Sequence, residues 1–185
     1  MHDREAMLVE FSQQFKTQGN RDGQYWFIGI EEGGGATEKE VDSMLDKWDR
    51  DGRCDVAMLH DPESDKVTCK WFDTSRVGDP PIQKTWGAQI RILLSMLGIS
   101  ADREKVRQYQ ANQFGTPKGE TCLMEMLPLP NPGINRWIYS ELSDLPQFVS
   151  RDAFSAHSVD ARIDRFRELV LLHQPTSVVL SLIHI

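Results

Sequence analysis

The sequence predicts a doubly wound α/β domain, and three observations carry that prediction. Short apolar, β-branched runs recur at 25–28, 120–127 and 176–180. Segments with apolar residues at helical spacing lie before and between them. The first of these runs leads directly through a glycine-rich loop into a capped helix, the strand–loop–helix unit of parallel sheets. In such sheets ligands bind beyond the carboxyl ends of the strands.

The elements follow in chain order. Met7, Leu8, Phe11 and Phe15 predict an amphipathic helix over 5–16, ended by Gly19, Asn20 and Gly23. Tyr25-Trp-Phe-Ile28 reads as a buried strand, the first of a parallel sheet. It runs into Gly29-Ile-Glu-Glu-Gly-Gly-Gly35. Thr37 with Glu40 then forms a capping box for a helix carrying Val41, Met44, Leu45 and Trp48. Residues 49–80 are polar and read as an irregular insertion, with short strands at 55–60 and 66–72. Trp86, Ile90, Leu93, Leu94 and Leu97 predict a helix over 82–97 that Gly98 stops. A shorter helix covers 102–113. Residues 120–127 form a second buried strand, followed by the proline-rich loop Pro128–Arg136. Ile163, Phe166, Leu169 and Val170 predict a helix over 158–173, closed by Pro175, and Thr176 begins another strand.

Composition narrows the function classes. A chain of 185 residues is one ordinary domain, and no apolar run approaches a membrane span. The amino terminus lacks the apolar stretch of a secretory signal. Cys54, Cys69 and Cys122 are an odd number with no metal or disulfide spacing, which predicts thiols in the cytoplasm and no cofactor. His60, His157 and His173 carry no metal signal. A net charge of −7 counts against a nucleic-acid partner, since Lys and Arg supply most non-specific affinity. Basic residues nevertheless cluster late, at Arg103, Lys105 and Arg107, then Arg151, Arg162, Arg165 and Arg167. One basic face would offset the acidic remainder; solvated helix faces are the plainer reading.

The last six residues, Leu180–Ile185, back-translate as CTG TCT CTT ATA CAC ATC, which is similar to a transposase adaptor used in sequencing libraries. The sequence therefore predicts a translated metagenomic fragment with its domain over 1–179 and adaptor read-through over 180–185. On that reading His184 has no function.

The Gly29–Gly35 loop is the first candidate site. It lacks GK[ST] and GxGxxG, and Glu31 and Glu32 would repel a triphosphate. A carboxylate at the end of a central strand suits general-base work or stabilisation of a developing cation. A surface turn whose carboxylates favour the following helix is the plainer alternative.

Three segments carry a resemblance. Trp26-Phe-Ile-Gly-Ile-Glu-Glu-Gly33 resembles the motif after the first strand of the uracil-DNA glycosylase superfamily, such as GQDPY, GEAPG or GINPG. Gly29 and Gly33 match its flanking glycines, and Glu32 replaces the usual proline. Leu123–Arg136 is similar to the strand ending in Asn and the PPGNR-like loop of several branches. Arg167–Leu180 is similar to the helix-to-strand segment before the family's last motif.

The resemblance implies a three-layer α/β/α domain with a central, mostly parallel sheet. It implies a monomeric enzyme without cofactor that flips a damaged or deaminated base out of duplex or single-stranded DNA and hydrolyses its N-glycosidic bond. Glu31 would stabilise the oxocarbenium-like transition state and orient water, with Glu32 in reserve. The backbone around Ile30 and Gly33 would shape the base pocket, and Asn135 and Arg136 would touch DNA phosphate. Glu125 stands where the family's uracil-reading Asn belongs. An ionised carboxylate accepts but cannot donate, so plain uracil should bind badly. Either the base offers another donor, or Glu125 is protonated, or the register differs by one residue. The family's last motif, with its His, would lie beyond residue 185, which makes the fragment as given inactive. Two alternatives stand beside this: a catalytically silent module on the same fold that binds nucleic acid or protein, and a hydrolase of free nucleosides or nucleotides.

Overall fold

The computed structural model describes residues 4–14, 17–54, 56–57, 71–72, 79–133 and 135–181. Five strands among them form one sheet: β1 (Thr17–Gly19), β2 (Tyr25–Glu31), β3 (Val56–Ala57), β4 (Thr121–Leu127) and β5 (Ser177–Leu180), in the order β3-β1-β4-β2-β5. The pairs β4/β2, β2/β5 and β1/β3 are parallel, and β1/β4 is antiparallel. The sheet is thus mostly parallel, and the expectation of an α/β domain holds at that level.

Helices cover both faces, as strand alternation requires. Phe27 and Leu123 face α3 (Lys84–Met96) and α4 (Arg103–Asn112), packing with Ile90, Leu93, Val106 and Phe114. Trp26, Ile28, Cys122 and Met124 face the long helix α6 (Arg151–His173), packing with Leu169 and Phe166. A third cluster joins α1 (Arg4–Gln13) and α2 (Glu38–Arg50) to the end of β4 through Phe11, Leu45, Trp48, Leu127 and Leu129. The short α5 (Tyr139–Leu142) and a 3-10 turn, Pro146–Phe148, complete that cluster with Tyr139 and Phe148.

Several elements follow the sequence closely. The Thr37 hydroxyl accepts from Glu40 N at 3.3 Å, while Glu40 reaches back to Ala36 N at 2.7 Å. Gly98 closes α3 at φ 69°. Other elements correct the expectation. The segment after α1 holds β1, a strand too short and polar for periodicity to detect, and it precedes Tyr25–Ile28 in the sheet. Strand β2 runs three residues past Ile28, so Glu31 ends a strand and does not sit in mid-loop. Helix α6 begins at Arg151, capped by the Ser150 hydroxyl on Ala153 N, seven residues before the expected start. Its buried stripe is Phe154, Ser158, Arg162 and Leu169, whereas Ile163 is exposed. Two polar residues on the stripe hid it from a hydrophobic count. Of the expected insertion strands, only Val56–Ala57 is a strand; Trp71 and Phe72 form a turn, and the remainder lies outside the described residues. So do Phe15, His60, Cys69 and His184. No described helix is long and apolar enough to cross a membrane.

Candidate functional site

Because β2, β4 and β5 are parallel, their carboxyl ends share one edge of the sheet, and two loops meet there. The glycine-rich loop leaves β2 and the proline-rich loop leaves β4. Asn131 N donates to Glu32 O at 2.8 Å, and the buried Tyr139 hydroxyl donates to Pro130 O at 2.8 Å. Burial, then the neighbouring Glu32 and Glu31 carboxylates, pushes the Tyr139 hydroxyl's pKa up, so it stays a neutral donor. Gly35 lies against the same carbonyl at φ 66°; a Cβ there would stand 2.5 Å from Pro130 O. This close approach explains why the loop carries glycine at that position.

The two glutamates where β2 meets the loop have different surroundings. Glu31 faces the same side of the sheet as Leu127, its partner in register. Both its carboxylate oxygens accept from Arg151 Nε, at 2.9 and 3.1 Å. The Glu31 side chain is 11% exposed, and its charge is met by a cation on the first turn of α6. Glu32, one residue on, borders a small pocket with Gln18, Leu123, Met124, Glu125 and Pro128. Gln18 Nε2 lies 3.4 Å from its Oε1. The pocket is about 10 Å³, room for about one water and not for a base.

Glu125 forms the opposite wall. Its side chain crosses β2 over Gly29, where a Cβ would come within 2.1 Å of Glu125 Oε2. Its carbonyl accepts from Arg162 Nη2 at 2.6 Å, which ties the end of β4 to α6. Ile30 points to the other face and packs on the α1–α2 cluster, and Gly33 stands in open space. Asn135 and Arg136 are exposed on the turn beyond. Glu31, Glu32 and Glu125 therefore gather at the carboxyl ends of β2 and β4, with Ile30 behind; Gly33 does not border the pocket. Neither Asn135 nor Arg136 borders the Glu32–Glu125 pocket.

Sequence reasoning missed Gln18, Tyr139, Arg151 and Arg162. Ser150 before Arg151 was a helix-start signal, and the i+4 series Phe154–Ser158–Arg162–Phe166 was a stripe with polar members. Gln18 and Tyr139 gave no local signal, since their roles arise from pairing across the sheet and between loops.

Several of the late basic residues are engaged in ion pairs. Arg107 meets Glu104 at 2.8 Å and Asp79 at 3.3 Å, Arg165 meets Glu168 at 2.9 Å, and Arg167 meets Asp164 at 3.7 Å. Trp26 is fully buried, Trp86 stacks on Phe72, and Trp137 donates to Phe148 O at 2.7 Å. His173 Nδ1 lies 2.8 Å from Asp22. Among the described residues, no three His, Cys, Asp or Glu side chains are placed to hold a metal. Comparisons with protein-family models, curated proteins and solved structures found no match to this chain.

Proposed function

We propose that the chain is a DNA glycosylase that excises a damaged or deaminated base by hydrolysing its N-glycosidic bond. One observation carries this reading. The three segments that resemble the uracil-DNA glycosylase superfamily are the three adjacent parallel strands β4, β2 and β5, and the loops that follow the first two touch.

Within that reading Glu32, more than Glu31, suits activation of water. A water held between Glu32 and Glu125 would give a hydrogen to each carboxylate and turn a lone pair outward, the orientation a nucleophile needs. Glu31, bound to Arg151, would hold the carboxyl end of β2 against α6 and add a screened negative charge beneath the sugar. A base would enter past the open Gly33, with the loop shifting to admit it.

The net charge of −7 favours a second reading, hydrolysis of free nucleosides. Base release from oligonucleotides carrying uracil, hypoxanthine or xanthine, beside the free deoxynucleosides, measured on the chain extended with the family's last motif, separates the two. The glycosylase reading expects release from DNA that falls 10²–10⁴-fold in Glu32→Gln and less in Glu31→Gln. Release from free nucleosides alone moves the assignment to the second reading. DNA binding with no release from any substrate leaves a silent module.

A further inference from the structure

We propose that the cleft between α1 and α6 is a binding site for a phosphate group. The cleft is about 390 Å³, within the range of small-ligand sites. Ser12 and Gln13 border it on α1; His157, Ser158, Arg162 and Arg165 border it on α6. No described carboxylate borders it, in a chain whose acidic residues outnumber Lys and Arg 28 to 21. Two guanidiniums, an imidazole and hydroxyls from two helices surround one volume. A tetrahedral oxyanion takes donors from several directions, and arginine forks match its geometry.

Arg162 is the fixed member of this set. It is 5% exposed and oriented by two carbonyls, donating from Nη1 to Gln14 O at 2.8 Å and from Nη2 to Glu125 O at 2.6 Å. Burial lowers its pKa to about 10, which still leaves it cationic at neutral pH. Arg165 is the adaptable member. Its pair with Glu168 is more than half exposed on both sides, and such pairs contribute little and exchange readily. The Ser12 hydroxyl donates to Val9 O at 2.7 Å and would rotate to serve an anion.

The phosphate could be free or belong to a nucleic-acid strand, and the test separates these sources. Thermal unfolding of the whole chain is followed in inorganic phosphate and in sodium chloride of equal ionic strength. The expected result is a saturable rise in Tm specific to phosphate, with apparent affinity about tenfold weaker in Arg165→Gln. Arg165 is exposed, so this variant should fold; His157→Gln provides a second, also at an exposed position. Competition by a short oligonucleotide assigns the site to a strand, and its absence assigns it to free phosphate. An equal response to both salts, or unchanged affinity in both variants, overturns the proposal. The inference does not rest on the glycosidase reading. Glu32→Gln should leave phosphate stabilisation intact, and failure of base release would leave this cleft untouched.

Discussion

Glu125 and Gly29 show how a single contact shapes the sheet edge. They are register partners on β4 and β2, and the missing Cβ of Gly29 leaves the space that the Glu125 carboxylate occupies. Gly29→Ala would force that carboxylate aside. A flexible side-chain end moves cheaply, so urea unfolding should show a loss of about 1 kcal/mol while the pocket geometry is lost. Gly19→Ala provides the contrast. Its Cβ would meet the rigid Thr121 carbonyl at 2.6 Å in a residue at φ 92°, and the expected loss is about 2–3 kcal/mol. The sequence offered both glutamates of the loop and Glu125 as site candidates. It could not distinguish Glu31, bound to Arg151, from Glu32 at the pocket, because Arg151 lies 120 residues away.

At the scale of elements, α6 links the sheet to the site. Arg151 at its start holds β2 through Glu31, Arg162 in its middle holds β4 through the Glu125 carbonyl, and Leu169 packs on the strands. Its first turn depends on Ser150, whose hydroxyl accepts from Ala153 N at 3.0 Å. Ser150→Ala should cost about 1 kcal/mol in chemical denaturation. If the Glu31–Arg151 pair depends on that turn, Glu31 should also become more accessible to carbodiimide labelling. Helices α2 and α3 were legible because their buried faces are apolar: Val41, Leu45 and Trp48 in one, Ile90, Leu93 and Leu94 in the other. The first half of α6 was not, since Ser158 and Arg162 sit on its buried stripe, where the Arg162 guanidinium donates to the Gln14 and Glu125 carbonyls.

For the whole molecule, the buried titratable groups set the response to alkali. Burial pushes the Cys122 thiol from 9.0 to about 12. Between those values the unfolded chain has released this proton and the folded chain keeps it, so stability falls as pH rises. Each such proton costs about 1.4 kcal/mol per pH unit. The buried Tyr109 and Tyr139 hydroxyls are raised as well, and add to the fall above their ordinary value of 10.0. Arg162 opposes it, since its lowered pKa makes the folded state the readier to lose a proton above about 10. Urea midpoints should therefore decline from about pH 9, and Cys122→Ala should delay the onset by about one pH unit. An unchanged onset in that variant would mean that another group governs the decline.

The sequence by itself determined the alternation of strands and helices, the strands β2, β4 and β5, the caps at Thr37 and Gly98, and the two loops at the carboxyl ends of β2 and β4. These are local properties, written in periodicity and turn chemistry within a dozen residues. Only the tertiary structure decided that β1 joins the sheet antiparallel to β4, that Arg151 takes Glu31, that Glu32 shares a pocket with Glu125, and that Arg162 lies buried between α1 and β4. Each of these depends on partners far apart in the chain, and pairing across a sheet or between buried charges leaves no periodic trace in either segment alone.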